Sequence, residues 1–269
     1  MKSGMAHSDL YAQIDRYAYT NVLAKSSPVT KMLFALSALV ISVSSPSPAV
    51  PIIVFATTTI LLLQRAKIPA HFYLEMLAYP TLMLTASCIV IALFFGTGEA
   101  LTQIAFPWFT WTIFKNGITL SVTTFLRVEG GLSCLFFLVL TTSITDIFIT
   151  LRRARVPKVL IEMSLLIYRY IFVFVEVAEK MNTAQKLRLG HSGWIRRIRS
   201  LALLSGNLFI RTLEQGERTL TAMNARGYDG NIRVLEDLPP ARKTALIGII
   251  VFDVALVLAA LLTMNIGVV

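Results

Sequence analysis

The feature that most constrains this chain is an alternation of long apolar runs with short polar breaks, interrupted once by a long basic stretch. Apolar runs cover Lys31–Ser44, Ala49–Leu63, Phe72–Phe95, Gly117–Leu151 and about Thr244–Met264. A soluble fold has no use for so many runs of this length, and the composition agrees. Hydrophobic residues make up 55% and charged residues only 15%, with a mean hydropathy of +0.69, which is a membrane composition. The formal charge of +10 is concentrated: the window from Leu151 to Lys243 holds 17 basic and 8 acidic residues, a net of +9.

The breaks between runs are specific. Ser45-Pro46-Ser47-Pro48, with Pro51 just beyond, cannot continue a helix interior and reads as the turn of a hairpin of two short helices. At about 1.5 Å per residue each run falls short of the ~30 Å hydrocarbon core. The helices are therefore expected to extend into flanking residues, with Lys31 snorkelling to the interface. Gln64-Arg65-Ala66-Lys67 and Pro69 form a basic turn, Gly96–Glu99 ends the third run, and the loop after it carries Trp108 and Trp111, a residue type favoured at membrane interfaces. Arg152-Arg153-Ala154-Arg155 is the clearest cytoplasmic marker.

Lys and Arg remain on the cytoplasmic side of short loops. A cytoplasmic N-terminus puts 45–48 outside, Arg65 and Lys67 inside, the 99–111 loop outside, the basic region inside and Val269 outside, so five spans satisfy the rule throughout. The expected architecture is an all-α, polytopic membrane protein with about five transmembrane helices. A cytoplasmic N-terminal segment covers 1–30, helices 1–4 cover 31–151, a cytoplasmic region of long amphipathic helices covers 152–243, and helix 5 covers 244–269. No apolar h-region with a small-residue cleavage site follows Met1-Lys2-Ser3-Gly4, so a retained first span is expected. Cys88 and Cys134 lie in apolar runs, where a thiol packs as a small hydrophobe.

Within the basic region, Pro157 suits the first turn of a helix. Leu160, Met163, Ile167, Ile171, Phe174, Ala178, Met181 and Ala184 recur at helical spacing. Gly190-His191-Ser192-Gly193 breaks the pattern. A second helix is expected from about Trp194 to Arg226, with Glu214 and Arg218 spaced for a surface pair. Two segments then match: Ala184-Gln185-Lys186-Leu187-Arg188-Leu189 and Ala222-Met223-Asn224-Ala225-Arg226-Gly227. Each sets an Ala four residues before an Arg near a helix C-terminus. A small residue beside an exposed guanidinium lets a helix end enter a groove on another protein and form bidentate bonds to a carboxylate. The plainer reading is that Arg188 and Arg226 complement a helix C-terminus or bind anionic lipid.

These segments resemble the transmembrane T component of energy-coupling factor transporters, in its cobalt-type CbiQ branch. The resemblance runs over nearly the whole chain. It rests on Ile14–Thr20 (Ile-Asp-Arg-Tyr-Ala-Tyr-Thr), Ser45–Pro48, Leu151–Pro157 (Leu-Arg-Arg-Ala-Arg-Val-Pro), Tyr168-Arg169-Tyr170 and Ala222–Gly230 (Ala-Met-Asn-Ala-Arg-Gly-Tyr-Asp-Gly). It implies that Ala184 and Arg188, and Ala222, Ala225, Arg226 and Gly227, end two coupling helices, each docking on one of two cytoplasmic ABC-type ATPases. Leu187 and Leu189 stand where the family tends to have Ala and Gly. The implied partners also include a substrate-binding membrane subunit of the CbiM kind, with or without a small accessory membrane subunit, and the implied cargo is cobalt. Nickel or a vitamin is the variant on the same scaffold, and a stand-alone secondary carrier or channel is the reading from a different class.

Other chemistry is thin. The sequence contains no G-x-x-x-x-G-K-[ST] phosphate loop, and no catalytic constellation lies in the spans, so a non-catalytic transport subunit without a cofactor of its own is expected in the cell membrane. Arg127, Glu129 and Asp253 fall inside spans, where ionisable groups face the protein interior or water. Structural pairing, or contact with a partner subunit, is favoured over a substrate path. His7, His71 and His191 are scattered without ligand spacing, so no metal site is expected in this chain. Tyr168-Arg169-Tyr170 and a pI near 9.9 do not outweigh five apolar spans in favour of nucleic acid. Arg169 is expected to be buried, or paired with Glu162 or Glu176.

Overall fold

A computed structural model describes residues 13, 15–96, 100–106, 109–190, 192–230, 239–240 and 242–265. The chain divides into two compact units, residues 1–147 with 238–269 and residues 148–237.

The first unit is the membrane unit. Helix α1 spans Pro28–Ser44, with Pro28 in its first turn, where a missing N–H costs nothing. Helix α2 spans Ala49–Ile60 and runs on through a π turn, Leu61–Arg65. Each reaches about 26 Å with these extensions, closer to the core thickness than the apolar runs alone. Between them the serines supply what the prolines lack. The Ser45 hydroxyl accepts from the Ser47 N–H at 3.3 Å, and the Ser47 hydroxyl accepts from the Ala49 N–H at 3.2 Å. Helix α3 spans Ala70–Phe94.

A two-stranded antiparallel hairpin follows, β1 (Ala100–Phe106) pairing with β2 (Phe109–Phe114), with Phe106 opposite Phe109. The described part of the loop expected to hold two interfacial tryptophans is therefore an antiparallel ribbon whose backbone carries Trp111, while Trp108 lies outside the described residues. Among the described residues all other regular structure is helical.

The fourth apolar run is not one helix. Helix α4, Lys115–Thr141, ends before Thr142-Ser143, and a short amphipathic helix α5, Ile144–Arg153, begins there. The Ser143 hydroxyl accepts from the Asp146 N–H at 3.2 Å, an N-cap that starts α5. The last helix of the unit, α8, spans Lys243–Asn265. Among the described residues, Ala70–Phe94, Lys115–Thr141 and Lys243–Thr263 are long and apolar enough to cross a bilayer, with mean hydropathies of 2.0, 1.5 and 2.8, and α1 and α2 are shorter apolar helices. The protein is an all-α polytopic membrane protein.

Helix α4 is the hub and packs on α1, α2 and α3. It can do so because its middle is small: a Cβ on Gly130 would sit 2.5 Å from the Ser42 hydroxyl and 3.1 Å from the Pro51 carbonyl oxygen. Apolar side chains in lipid gain nothing from leaving it, so close backbone approach is what holds such helices together. Cys134 is fully buried with Ala38, Val50, Val54 and Leu256, and Cys88 is a second buried thiol.

Lys31 departs from expectation. It is 5% exposed, and its ammonium donates to the Leu23 carbonyl at 3.1 Å and the Thr141 carbonyl at 2.6 Å. Asn21 Nδ2 donates to the neighbouring Leu140 carbonyl at 3.0 Å. The last turn of α4 has carbonyls with no intrahelical partner, and these two side chains from the N-terminal segment satisfy them. Tyr19 continues the contact, its hydroxyl 2.7 Å from the Thr145 hydroxyl at the start of α5.

The second unit contains the end of α5 and two long helices, α6 (Lys158–Leu187) and α7 (Trp194–Ala225). The 30 and 32 residues correspond to lengths of about 45 and 48 Å. They run antiparallel. The Tyr170 hydroxyl lies 2.5 Å from that of Thr219, and at the other end the Ser200 hydroxyl donates to the Gly190 carbonyl at 3.0 Å.

Candidate functional site

The two matched segments end α6 and α7 with one backbone geometry. At the end of α6, Arg188 is the C-cap, the Leu189 N–H reaches the Lys186 carbonyl at 3.1 Å, and the Gly190 N–H reaches the Gln185 carbonyl at 3.0 Å. At the end of α7, Arg226 is the C-cap, the Gly227 N–H reaches the Asn224 carbonyl at 3.0 Å, and the Tyr228 N–H reaches the Met223 carbonyl at 3.1 Å. Each end is a Schellman motif, which satisfies two orphan carbonyls and turns the chain away through a left-handed residue. That residue is Gly227, with φ +77°, in one motif and Leu189, with φ +58°, in the other. A left-handed conformation costs a side-chain-bearing residue about 1–2 kcal/mol. The replacement of Gly by Leu at 189 is therefore absorbed as strain, and the shape of the helix end is kept.

Ala184, Arg188, Ala222, Ala225, Arg226 and Gly227 are all exposed. Each guanidinium stands at the negative end of a long helix, a favourable place for a cation, beside a methyl-sized neighbour one turn back. The Arg188 end sits at the α7 start, through the Gly190–Ser200 bond. The Arg226 end sits at the far end of α7, so the antiparallel hairpin holds the two tips apart by roughly the length of α7, on the order of 45 Å.

Between the tips the helices part to leave a groove of about 700 Å³, lined by Val173, Phe174, Val177 and Met181 of α6 and by Asn207, Ile210, Arg211, Glu214, Gln215 and Arg218 of α7. Glu214 and Arg218 lie 3.7 Å apart. Lys180 sits 2.5 Å from Glu176, and its hydrogen bond and charge hold that exposed carboxyl below the usual range. Arg169 is exposed, which corrects the expectation of a buried arginine. The apolar face read from the sequence of α6 is not buried within the chain: Leu160, Met163, Ile167 and Ile171 are each at least half exposed.

The three ionisable residues of the spans occupy separate places. Arg127 Nε donates to the Ser45 carbonyl at 2.9 Å, a cation on the C-terminus of α1. Glu129 is buried; it accepts from the Thr81 hydroxyl at 2.6 Å on Oε1, while Oε2 has no hydrogen-bond partner among the described residues. Asp253 Oδ1 is likewise buried without a partner among the described residues. Among the described residues no three His, Cys, Asp or Glu side chains converge as a metal site would require.

Residues 19–238 match the family described as CbiQ, cobalt transport protein. The chain belongs to this family. Among its relatives, an uncharacterized protein of Methanocaldococcus jannaschii is 39% identical over 250 residues, 93% of each chain. The cobalt transport protein CbiQ of Rhodobacter capsulatus is 31% identical over 250 residues, 93% of this chain and 97% of that one. A putative fused cobalt transport protein CbiMQ of Methanocorpusculum labreanum is 35% identical over 225 residues, 83% of this chain and 38% of that longer one. As a CbiQ-family protein, the chain is a transmembrane component of the energy-coupling factor class.

Sequence reasoning missed several residues that build the tips. Leu189 looks like a departure from the motif until its backbone is seen. Gln185, Gly190 and Ser200 brace the turn between the helices, and the Tyr170–Thr219 contact ties their other end. A glycine after a helix and a serine ten residues on are weak signals. The 49-residue separation of Tyr170 from Thr219 leaves none.

Proposed function

We propose that this chain is the transmembrane coupling subunit of an ATP-driven cobalt importer. It links two ABC-type ATPase subunits to a substrate-binding membrane subunit and hydrolyses no ATP itself. The observation that carries this reading is the duplicated helix end, in which Arg188 and Arg226 occupy the same C-cap position of the same motif at opposite ends of one antiparallel hairpin. Two equal attachment points held apart suit two equivalent motor subunits. Movement of the motors would rotate or spread α6 and α7, and the exposed apolar face of α6 offers the surface through which that motion reaches a membrane partner. The fused CbiMQ relative, in which a CbiM part shares a chain with a CbiQ part, supports a CbiM-like partner, with cobalt as the cargo. A cytoplasmic N-terminus follows from the basic character of 151–243.

The test is copurification. Arg226→Glu should insert normally in the membrane and fail to retain the ATPases in a detergent pull-down, because it sets a carboxylate against a carboxylate. Arg188→Glu should do the same at the other tip. Undiminished recovery of both ATPases with the double variant would end the proposal. Transport by the purified chain alone would place it with stand-alone carriers instead.

A further inference from the structure

We infer that the first two turns of α7 form a docking surface for the headgroup layer of an anionic bilayer. The segment Trp194-Ile195-Arg196-Arg197-Ile198-Arg199-Ser200-Leu201 opens the helix, and all of it except Ser200 is exposed. Its large apolar residues stand in water to an unusual degree: Trp194 74%, Ile195 81%, Ile198 52% and Leu201 56%. At about 100° per residue these four fall within one arc of roughly 120°, with Arg197 just beyond one edge and Arg199 just beyond the other. Ser200 points away from the arc, bonded to the Gly190 carbonyl at 3.0 Å, so the contact with the end of α6 holds the arc outward.

Charge selects the occupant. From Met181 to Leu213 the chain has six basic residues and no acidic one. Among the described residues none of Arg196, Arg197 and Arg199 makes a salt bridge. An acidic protein surface would answer the arginines but leave the apolar arc in water. An apolar arc edged by arginines, with a tryptophan at its rim, is the pattern of a helix lying in the bilayer interface, where the apolar side reaches the acyl boundary and the guanidinium groups reach phosphates. The segment is covalently tethered to a chain that spans the bilayer, so modest intrinsic affinity is enough to hold it at the surface. This surface adjoins the Arg188 tip through the Ser200–Gly190 bond but is built from other residues.

The experiment uses the full chain carrying Trp108→Phe and Trp111→Phe, which leaves Trp194 as its single tryptophan. It is reconstituted in phosphatidylcholine alone and in phosphatidylcholine mixed with phosphatidylglycerol, each with brominated acyl chains as quencher. Trp194 emission is expected to be blue-shifted and quenched in the anionic bilayer and near its water value in the neutral one. Arg197→Gln and Arg199→Gln should each lower the ratio of bound to free segment roughly fivefold, and added salt should do the same. Ile195→Asp should release the segment while helical content stays constant. Water-like emission in both bilayers overturns the inference, as does equal quenching in both. A shift that appears only when ATPase subunits are added also overturns it and assigns the surface to a protein. ATPase recovery by the same samples reports separately on the arginine tips.

Discussion

The ammonium of Lys31 and the carbonyl of Thr141 lie 2.6 Å apart across 110 residues of sequence, and with the Asn21–Leu140 contact they close the C-terminal end of α4. Lys31→Met keeps the apolar stem but removes the donor from buried carbonyls, so it should cost about 1–3 kcal/mol. Thermal unfolding of the purified protein in detergent should show a lower midpoint than wild type. Lys31→Arg, which retains donors, should lose less.

Gly130 has no room for a methyl group. Gly130→Ala puts a carbon against the Ser42 hydroxyl and the Pro51 backbone and should destabilise the α1–α2–α4 packing by about 1–3 kcal/mol. Adding Ser42→Gly should recover part of that loss and no more, because the Pro51 carbonyl cannot retreat as a side chain can. Unfolding midpoints of the two single variants and the double variant measure this.

Thr81 and Glu129 are worth more together than apart. Thr81→Val strips the buried carboxyl of its hydrogen bond at Oε1 and should destabilise by about 1–3 kcal/mol. Combining it with Glu129→Leu, which removes the polar group altogether, should be milder than Thr81→Val alone. A double-mutant cycle of unfolding midpoints is decisive, and simple additivity would contradict the pairing.

Leu189 stores strain that glycine would release. Leu189→Gly should stabilise the end of α6 by about 1–2 kcal/mol, seen as slower amide exchange at Leu189 and Gly190. Gly227→Ala should do the reverse at Gly227 and Tyr228. Equal exchange in wild type and Leu189→Gly would show that the left-handed turn costs nothing there.

Much of the architecture is already in the order of residues. The apolar runs, the Ser-Pro turn at 45–48, the basic cluster at 152–155 and the Ala-Arg spacing at 184–188 and 222–226 each depend on neighbours within a few positions. Hydropathy, proline geometry and helical period act over that range, so the helices, their order and the two arginine tips are legible. The tertiary structure decided what depends on distant partners. It ended α4 at Thr141 because Asn21 and Lys31 arrive from the N-terminal segment to take its last carbonyls. It buried a lysine that local pattern would send to the interface, and it gave Leu189 the conformation of a glycine because Gly190 is braced by Ser200. It also left the face of α6 and the start of α7 uncovered. Periodicity marks a residue as apolar, but whether anything covers it is settled by three-dimensional packing alone.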